Sequence, residues 1–234
     1  VDLYNFGFTE TDQPYIVMAL SGGTALNRVA KPAFDWPVLR CLLSQVLRVL
    51  SHAHARGVFH HDLKPSNILV QQDRRGRLYA QVIDFGIAAI VNRRVASLGE
   101  GPSTLVGTAS YLAPEAVRSY ALHRFSPGPD LYALGVIAFE LSYGVRPFQS
   151  DDTRELLQQH ETREVPELDV RAGFEAPEEF AGWIRKMLSK RPRDRYASAA
   201  DALAALQRFA GRSRVGVRAP APKIPRNRFP QLNP

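Results

Sequence analysis

The sequence predicts an α+β fold in which short β-prone runs precede a mainly helical body. Two such runs, residues 1–4 and 15–18, are separated by a turn-rich Thr-Glu-Thr-Asp-Gln-Pro segment and therefore predict an antiparallel hairpin. From residue 35 onward, apolar residues recur with the 3.6-residue period of an amphipathic helix. With 234 residues, of which 45% are hydrophobic, the chain can bury a sizeable core.

A long amphipathic helix is predicted from Asp35 to about Gly57. Asp35 can cap the first turn, and Pro37 is tolerated there because the first helical N–H groups have no partner within the helix. The apolar residues that share the helical period are Val38, Leu39, Leu42, Leu43, Val46, Leu47 and Leu50. Gly57 suits the end of the helix. One face is therefore expected in the core.

The remaining elements are a second hairpin, a buried helix and several amphipathic helices. Residues 68–70 and 81–83 favour two short strands joined by the charged turn at 73–77. The apolar run 131–141 is typical of a buried core helix, and Asp130 is placed to cap it. The amphipathic patterns cover residues 151–161 and 176–188, and a capping box at 198–201 opens a last helix to about 209.

Composition favours a globular protein of a reducing compartment. The single cysteine, Cys41, rules out an internal disulfide and favours a cytoplasmic location. The most continuous apolar run, 131–141, contains Glu140 and is shorter than the roughly 20 residues that span a bilayer, so no membrane span is expected. The first residues show no secretory signal either.

Positive charge is concentrated at the C-terminal end. The net charge is +7, and six basic residues with no acidic ones follow Gly211, so the rest of the chain is nearly neutral. These residues are Arg212, Arg214, Arg218, Lys223, Arg226 and Arg228. Five prolines in the same segment favour extended, solvated backbone, so 211–234 is expected to be a disordered linker. The alternative is a basic segment that leads to or approaches a membrane surface or an acidic partner.

Residues suited to catalysis are concentrated between His60 and Gly86. The stretch contains His-His-Asp-Leu-Lys-Pro-Ser-Asn and later Val-Ile-Asp-Phe-Gly. Asp62 can orient a hydroxyl group and accept its proton, and Lys64 can neutralise charge on a phosphoryl group. Asn67 and Asp84 offer the hard oxygen ligands that magnesium prefers. The combination indicates phosphoryl-transfer chemistry.

These motifs resemble those of protein kinases. An Ala-Pro-Glu triplet ending at Glu115 follows Asp-Phe-Gly, Asp130 heads an apolar helix, and Arg195 lies near the end of the chain. Lys64-Pro-Ser-Asn and Thr108 are similar to serine/threonine rather than tyrosine kinases. The chain resembles the bacterial eukaryotic-like serine/threonine kinases over residues 1 to about 210. The resemblance implies a protein-kinase-like fold, with residues 1–20 as a remnant of the small lobe and hinge and 21–210 as the large lobe.

The resemblance implies that ATP and Mg²⁺ are the cofactors and that a protein hydroxyl is the acceptor. Asp62 would then be the base and Lys64 would contact the γ-phosphate, while Asn67 and Asp84 would hold the metal. The implied adenine contacts are the gatekeeper Met18, the backbone of Ala19 and Ser21, and Leu69 below the ring. The implied structural residues are the packing residue His60, Asp130 on the loop backbone, and the ion pair of Glu115 with Arg195.

Two departures from the family pattern bear on activity. The glycine-rich phosphate loop, the strand lysine and its glutamate partner would precede Val1 and are missing, so this chain is expected to be impaired in catalysis. The alternative is a truncated kinase homologue, or pseudokinase, that only binds partners. His61 stands where most relatives have arginine and lacks its fork of donors. Activity of an intact form is therefore expected not to depend strongly on phosphorylation of the activation loop, whose candidate acceptors are Ser97, Ser103 and Thr104.

Two other functions are disfavoured by the residues themselves. His52 and His54 are two residues apart and do not share a helix face, and no cysteine accompanies them, which argues against a metal site with His60 and His61. A nucleic-acid binder would have to work through the basic tail, because the body is nearly neutral. Nucleic acid is therefore not an expected partner.

Overall fold

The structure is a computed structural model that describes residues 3–11, 14–29, 34–73, 77–85, 109–118, 126–167, 169–170 and 172–210. These residues form a mixture of helices and short strands, which confirms the predicted α+β class. Several predicted residues lie outside the described ranges, namely Gly86, Ser97, Ser103, Thr104, Thr108 and the whole tail 211–234.

The described chain begins with an antiparallel hairpin of β1 (Leu3–Phe8) and β2 (Pro14–Met18). The first strand is longer than predicted, because Asn5 and Gly7 pair with β2 although both are weak strand formers. The Tyr15 side chain covers Gly7, where an added Cβ would lie 2.9 Å from the tyrosine hydroxyl oxygen. A larger residue here would therefore displace the exposed Tyr15 ring.

A second sheet contains β3 (Thr24–Ala25), β4 (Ile68–Gln72) and β5 (Leu78–Val82), in that order and antiparallel. Strands β4 and β5 form the predicted second hairpin. Arg77 closes it, because its backbone N–H and its Nε both donate to the Asp73 carboxylate, at 2.9 and 2.7 Å. Since β3 pairs with β4, the segment that follows the first hairpin lies against the second one.

Helix α1 (Trp36–His54) matches the predicted amphipathic helix. The Asp35 carboxylate accepts the N–H of Val38 at 2.9 Å, and Pro37 lies in the first turn. All seven predicted apolar residues are buried. The helix ends three residues before Gly57, whose φ of +72° explains why glycine is there.

The short helix α2 (Pro114–Arg118) is followed by α3 (Gly128–Tyr143), which is buried along most of its length. The prediction that Asp130 caps the buried helix is wrong. The helix begins two residues earlier, with Pro129 in its first turn and no side-chain cap. The Asp130 carboxylate is therefore free to bind another segment of the chain.

Three amphipathic helices complete the body: α4 (Thr153–Thr162), α5 (Glu179–Met187) and α6 (Ala199–Ala210). The N-cap half of the predicted capping box is confirmed, because Ser198 Oγ accepts the N–H of Asp201 at 3.1 Å, while the Asp201 carboxylate accepts the Ser198 hydroxyl at 2.7 Å. None of the helices described combines the length and the apolar character needed to cross a membrane.

Candidate active site

The loop between α1 and β4 brings three predicted catalytic residues together. Lys64 Nζ lies 2.8 Å from Asp62 Oδ2. Asn67 Nδ2 donates to the main-chain oxygen of Asp62 at 2.9 Å and to its carboxylate at 3.3 Å. The short 3₁₀ turn Pro65–Asn67 brings the amide back toward Asp62, and the proline restricts its backbone. One carboxylate therefore has a cation and an amide within hydrogen-bond reach.

Asp130 holds the backbone of this loop from the core. Its carboxylate accepts the N–H groups of His60 at 2.9 Å and His61 at 2.8 Å, and His54 Nε2 lies 2.8 Å away. Burial alone would raise the pKa of Asp130, but the hydrogen bonds from His54 and His60 outweigh it, and the pKa is lowered. The ionised carboxylate holds His61 at a φ of +60°, a conformation that residues other than glycine rarely adopt.

His60 connects the loop to the segment that contains Asp84. Its Nε2 donates to the carbonyl oxygen of Ile83 at 2.8 Å, and its Nδ1 accepts the N–H of Asp62 at 3.2 Å. The N–H of Ile83 in turn donates to the carbonyl oxygen of Asn67 at 3.0 Å. One imidazole therefore positions both Asp62 and the residue before Asp84, so the two acidic residues lie on adjoining segments.

Two neighbouring segments carry the predicted adenine contacts, which are Met18, Ala19, Ser21 and Leu69. The first three lie at the end of β2 and in the connection to β3, and Leu69 pairs with Ala25 of β3. Gly23 has a φ of +116°, and a Cβ there would lie 3.0 Å from the carbonyl oxygen of Val70. Glycine thus allows the connection that follows Ser21 to pass close to β4, the strand that contains Leu69.

Oxygen donors suited to a magnesium ion lie beside Asp62. Asn67 uses its NH₂ group on Asp62, and its Oδ1 accepts a hydrogen bond from Ser66 Oγ at 3.3 Å and keeps a second lone pair for a ligand. Asp84 follows Ile83, whose N–H donates to Asn67. Across the described ranges, no group of three His, Cys, Asp or Glu side chains could hold a metal by itself. Magnesium commonly combines one or two protein oxygens with phosphate oxygens, so these residues fit a magnesium–nucleotide complex.

A buried ion pair joins Glu115 on α2 to Arg195. Arg195 Nη1 and Nη2 lie 2.5 and 2.7 Å from the two Glu115 carboxylate oxygens, and Nη1 also donates to the carbonyl oxygen of Gly128 at 2.9 Å. The guanidinium carbon lies 4.9 Å from the centre of the Tyr132 ring. These contacts satisfy both desolvated charges, which suits an anchor of the fold.

Sequence reasoning missed two polar residues that support this region. The sequence suggests His54 only as a candidate metal ligand, although it lies one turn after Leu50 on the buried face of α1 and is therefore directed toward Asp130. Tyr132 was treated as part of an apolar run, but its hydroxyl lies 2.9 Å from His160 Nδ1 in the core. The helical periodicity of the apolar residues indicates that His54 lies on the buried face, whereas nothing in the sequence indicates the partner of Tyr132.

The chain is similar to known proteins in sequence and in fold. The protein kinase domain family model matches residues 1–207. Serine/threonine-protein kinase pkn3 of Myxococcus xanthus is 36% identical over 88% of this chain and 38% of its own length. PknH of Mycobacterium tuberculosis is 35% identical over 88% of this chain and 31% of its own. The crystal structure of the Rad53 kinase domain and SCD2 in complex with AMPPNP aligns at 26% identity with a TM-score of 0.62, covering 87% of this chain and 70% of that chain.

The fold and the family match define a domain of the protein kinase class. The chain belongs to the protein kinase domain family. Its bacterial relatives identify it more closely as a eukaryotic-like serine/threonine kinase domain. The chain spans about a third of the length of the curated relatives that it matches.

Proposed function

We propose that this chain transfers the γ-phosphoryl group of ATP to a serine or threonine hydroxyl of a protein. The observation that carries the proposal is the Asp62 carboxylate, which lies 2.8 Å from Lys64 and 3.3 Å from Asn67 on a loop fixed from the core. Phosphoryl transfer depends on positioning and charge stabilisation more than on covalent catalysis. A rigidly held base with a neighbouring cation meets that requirement.

Each loop residue has a distinct part in the proposed mechanism. Asp62 orients the acceptor hydroxyl and takes its proton as the oxygen attacks phosphorus, and ADP leaves with the electron pair of the broken P–O bond. Lys64 neutralises negative charge on the transferred group. Asn67 keeps the Asp62 carboxylate in one orientation by donating to both its side chain and its backbone.

Nucleotide binding is supported by the similar Rad53 kinase domain, whose structure is a complex with AMPPNP. In this chain the adenine is proposed to lie between Leu69 and the segment of Met18, Ala19 and Ser21. Magnesium, when bound, neutralises phosphate charge and orients the nucleotide. Asn67 Oδ1 and Asp84 are the residues that would hold it.

The proposed domain division assigns residues 1–20 to a small-lobe remnant with the hinge and 21–210 to the large lobe. The strand pairing supports it, because β1 and β2 form one sheet while β3, β4 and β5 form another. Glu115, Arg195 and Asp130 then belong to the large lobe as structural anchors, together with His60.

Two measurements on the purified chain test the proposal. Calorimetry should detect magnesium-dependent ATP binding to the wild type and weaker binding to Asp84→Ala. Transfer of labelled phosphate to a serine/threonine peptide library should fall about 10²- to 10⁴-fold in Asp62→Asn. The control Asp169→Asn changes an exposed carboxylate and should behave as the wild type.

The outcomes separate the alternatives. Equal ATP binding by wild type and Asp84→Ala removes the metal assignment. ATP binding without transfer by the wild type favours the partner-binding pseudokinase, and equal transfer by Asp62→Asn removes Asp62 as the base.

A further inference from the structure

We propose that Arg146 selects protein substrates that have an acidic or phosphorylated residue near the acceptor hydroxyl. The inference rests on the proposed phosphotransfer to a protein and names a specificity-determining residue for it. The site, called here the Arg146 subsite, consists of Arg146 together with Ser110, Tyr111 and Glu140.

The Arg146 subsite is connected to the catalytic loop through Tyr111. One small cavity is lined by both segments, with Asp62 and Leu63 on one wall and Tyr111, Leu112 and Ala113 on another. A substrate that presents its hydroxyl to Asp62 must therefore pass its neighbouring residues along the 109–113 segment. Ser110 lies in that segment, and its Oγ accepts a hydrogen bond from Arg146 Nη1. Arg146 is thus hydrogen-bonded to the residue that precedes Tyr111, the first residue of this segment to line the cavity.

Arg146 lies on a rigid turn. Gly144 ends α3 with a φ of +82°, and Phe148 is buried two residues after Arg146. Gln149 Nε2 donates to the carbonyl oxygen of Arg146 at 3.3 Å. With its backbone held by the turn and its guanidinium held by Ser110, the side chain has little conformational freedom left to lose on binding.

The positive charge of Arg146 is not neutralised by a neighbouring acid. Within the part of the chain that the structure describes, no carboxylate lies within ion-pair distance of it. The Glu140 carboxylate accepts the Tyr111 hydroxyl at 2.7 Å. Both charges act on Tyr111, because burial and Glu140 raise the pKa of its hydroxyl while Arg146 lowers it. The two groups therefore lie near the same tyrosine without pairing with each other.

The guanidinium retains donors for a ligand. It has five N–H donors, and in the described structure Ser110 uses one of them. A guanidinium binds carboxylate and phosphate through paired, charge-assisted hydrogen bonds. A lysine or arginine at the same substrate position would meet a like charge and be rejected. The subsite therefore favours an anionic flanking residue, whether glutamate, aspartate or a phosphorylated side chain.

Fluorescence anisotropy with labelled peptides tests this inference without requiring phosphotransfer. Each peptide has alanine at the acceptor position and, at one flanking position, glutamate, phosphoserine, glutamine or lysine, and is measured at about 0.15 M salt. We expect the wild type to bind the glutamate or the phosphoserine peptide about tenfold more tightly than the glutamine peptide at one particular position. The glutamate and phosphoserine arms distinguish the two anions. Equal affinity for all peptides, or the same gain at every position, overturns the inference.

Matched variants assign the effect to the side chain. Arg146→Glu should reverse the preference toward the lysine peptide. Arg146→Lys keeps the positive charge but lacks the paired N–H donors of the guanidinium, so it should keep part of the glutamate preference. The control Arg163→Glu makes the same charge change on an exposed residue after α4 and should bind as the wild type. Equal effects of Arg146→Glu and Arg163→Glu overturn the inference. A wild type that prefers acidic peptides but transfers no phosphate contradicts the proposed function and supports the Arg146 subsite.

Discussion

The catalytic loop and the N-terminal hairpin are held in place in different ways. The loop, residues 60–67, contains no regular strand, yet the buried Asp130 and His60 bind its backbone groups. The hairpin of β1 and β2 is paired in regular register from Asn5 to Phe8, with an irregularity between Leu3 and Asn5, but its aromatic side chains are exposed, with Tyr4 at 67% and Phe6 at 73%. Regular secondary structure is therefore a poor guide to how firmly a segment is anchored.

The difference follows from where the polar groups find their partners. A buried N–H that loses its partner pays the full desolvation cost, whereas an exposed group exchanges its partner for water. Exposed aromatic rings gain little from the hydrophobic effect, because burial of apolar area is what stabilises a side chain. Substitution of a buried residue that binds the loop backbone, such as Asp130, should therefore lower the free energy of unfolding strongly. Substitutions in the hairpin should change it little.

The largest effect is expected for Asp130→Ala. The variant leaves the buried N–H groups of His60 and His61 without an acceptor, and His54 without its partner. We expect the free energy of unfolding to fall by about 3 to 5 kcal/mol, measured by urea unfolding with tryptophan fluorescence. The control Asp152→Ala removes an exposed helix cap and should cost about 1 kcal/mol. A loss below 1 kcal/mol for Asp130→Ala would contradict the anchoring described here.

The sequence predicted the loop better than its anchors, and the reason is physical. Asp62, Lys64 and Asn67 lie within six residues, so local geometry already brings them together. His54 meets Asp130 across 76 positions, a distance that only tertiary packing spans. The capping role that the local pattern predicts for Asp130 is wrong, and its contact with the loop backbone was expected only from the resemblance to protein kinases, because a local pattern does not reveal that two distant amides bind its carboxylate.

The helices and hairpins were predictable because they depend on periodic burial and turn composition. The residues at which these elements begin and end were less predictable. The first strand extends through Gly7 because its partner strand and the Tyr15 ring support it, which residue preferences alone do not show. The Arg146 subsite was missed for a different reason, since nothing in the sequence places Arg146 beside Ser110.

The second prediction concerns the pH dependence of the free energy of unfolding that the buried His160 causes. Burial and the charges of Lys190 and Arg146 lower the pKa of His160 from its ordinary 6.5 to about 3. Below pH 6.5 the unfolded chain binds a proton that the folded chain does not, so stability is lost as the pH falls toward 3. We expect His160 to contribute up to about 1.4 kcal/mol per pH unit to that loss.

Urea unfolding at pH 7, 6 and 5 measures this slope. His160→Gln should show a shallower slope than the wild type, while the exposed His52→Gln should keep the wild-type slope. The same slope in all three proteins would show that His160 is protonated in the folded state.

The third prediction concerns the edge of β5. Gln45 accepts the N–H of Ala80 and donates to the carbonyl oxygen of Leu78, both at 2.9 Å, so this side chain of α1 clamps strand β5. Gln45→Ala should cost about 1 to 2 kcal/mol of unfolding free energy. Hydrogen exchange at the Ala80 amide should become faster. The exposed control Gln158→Ala should stay within about 0.5 kcal/mol, and unchanged exchange at Ala80 would refute the clamp.

The smallest effect is expected for Phe6→Ser in the hairpin. Its ring is 73% exposed, so its removal should change the free energy of unfolding by less than about 0.5 kcal/mol. The matched core variant Phe148→Ala removes a ring that is 1% exposed and should cost about 3 to 5 kcal/mol. Both are measured by urea unfolding under the same conditions. A loss above 1 kcal/mol for Phe6→Ser would mean that this ring is buried in solution, and the hairpin would then be anchored by apolar contacts as firmly as the loop is by Asp130.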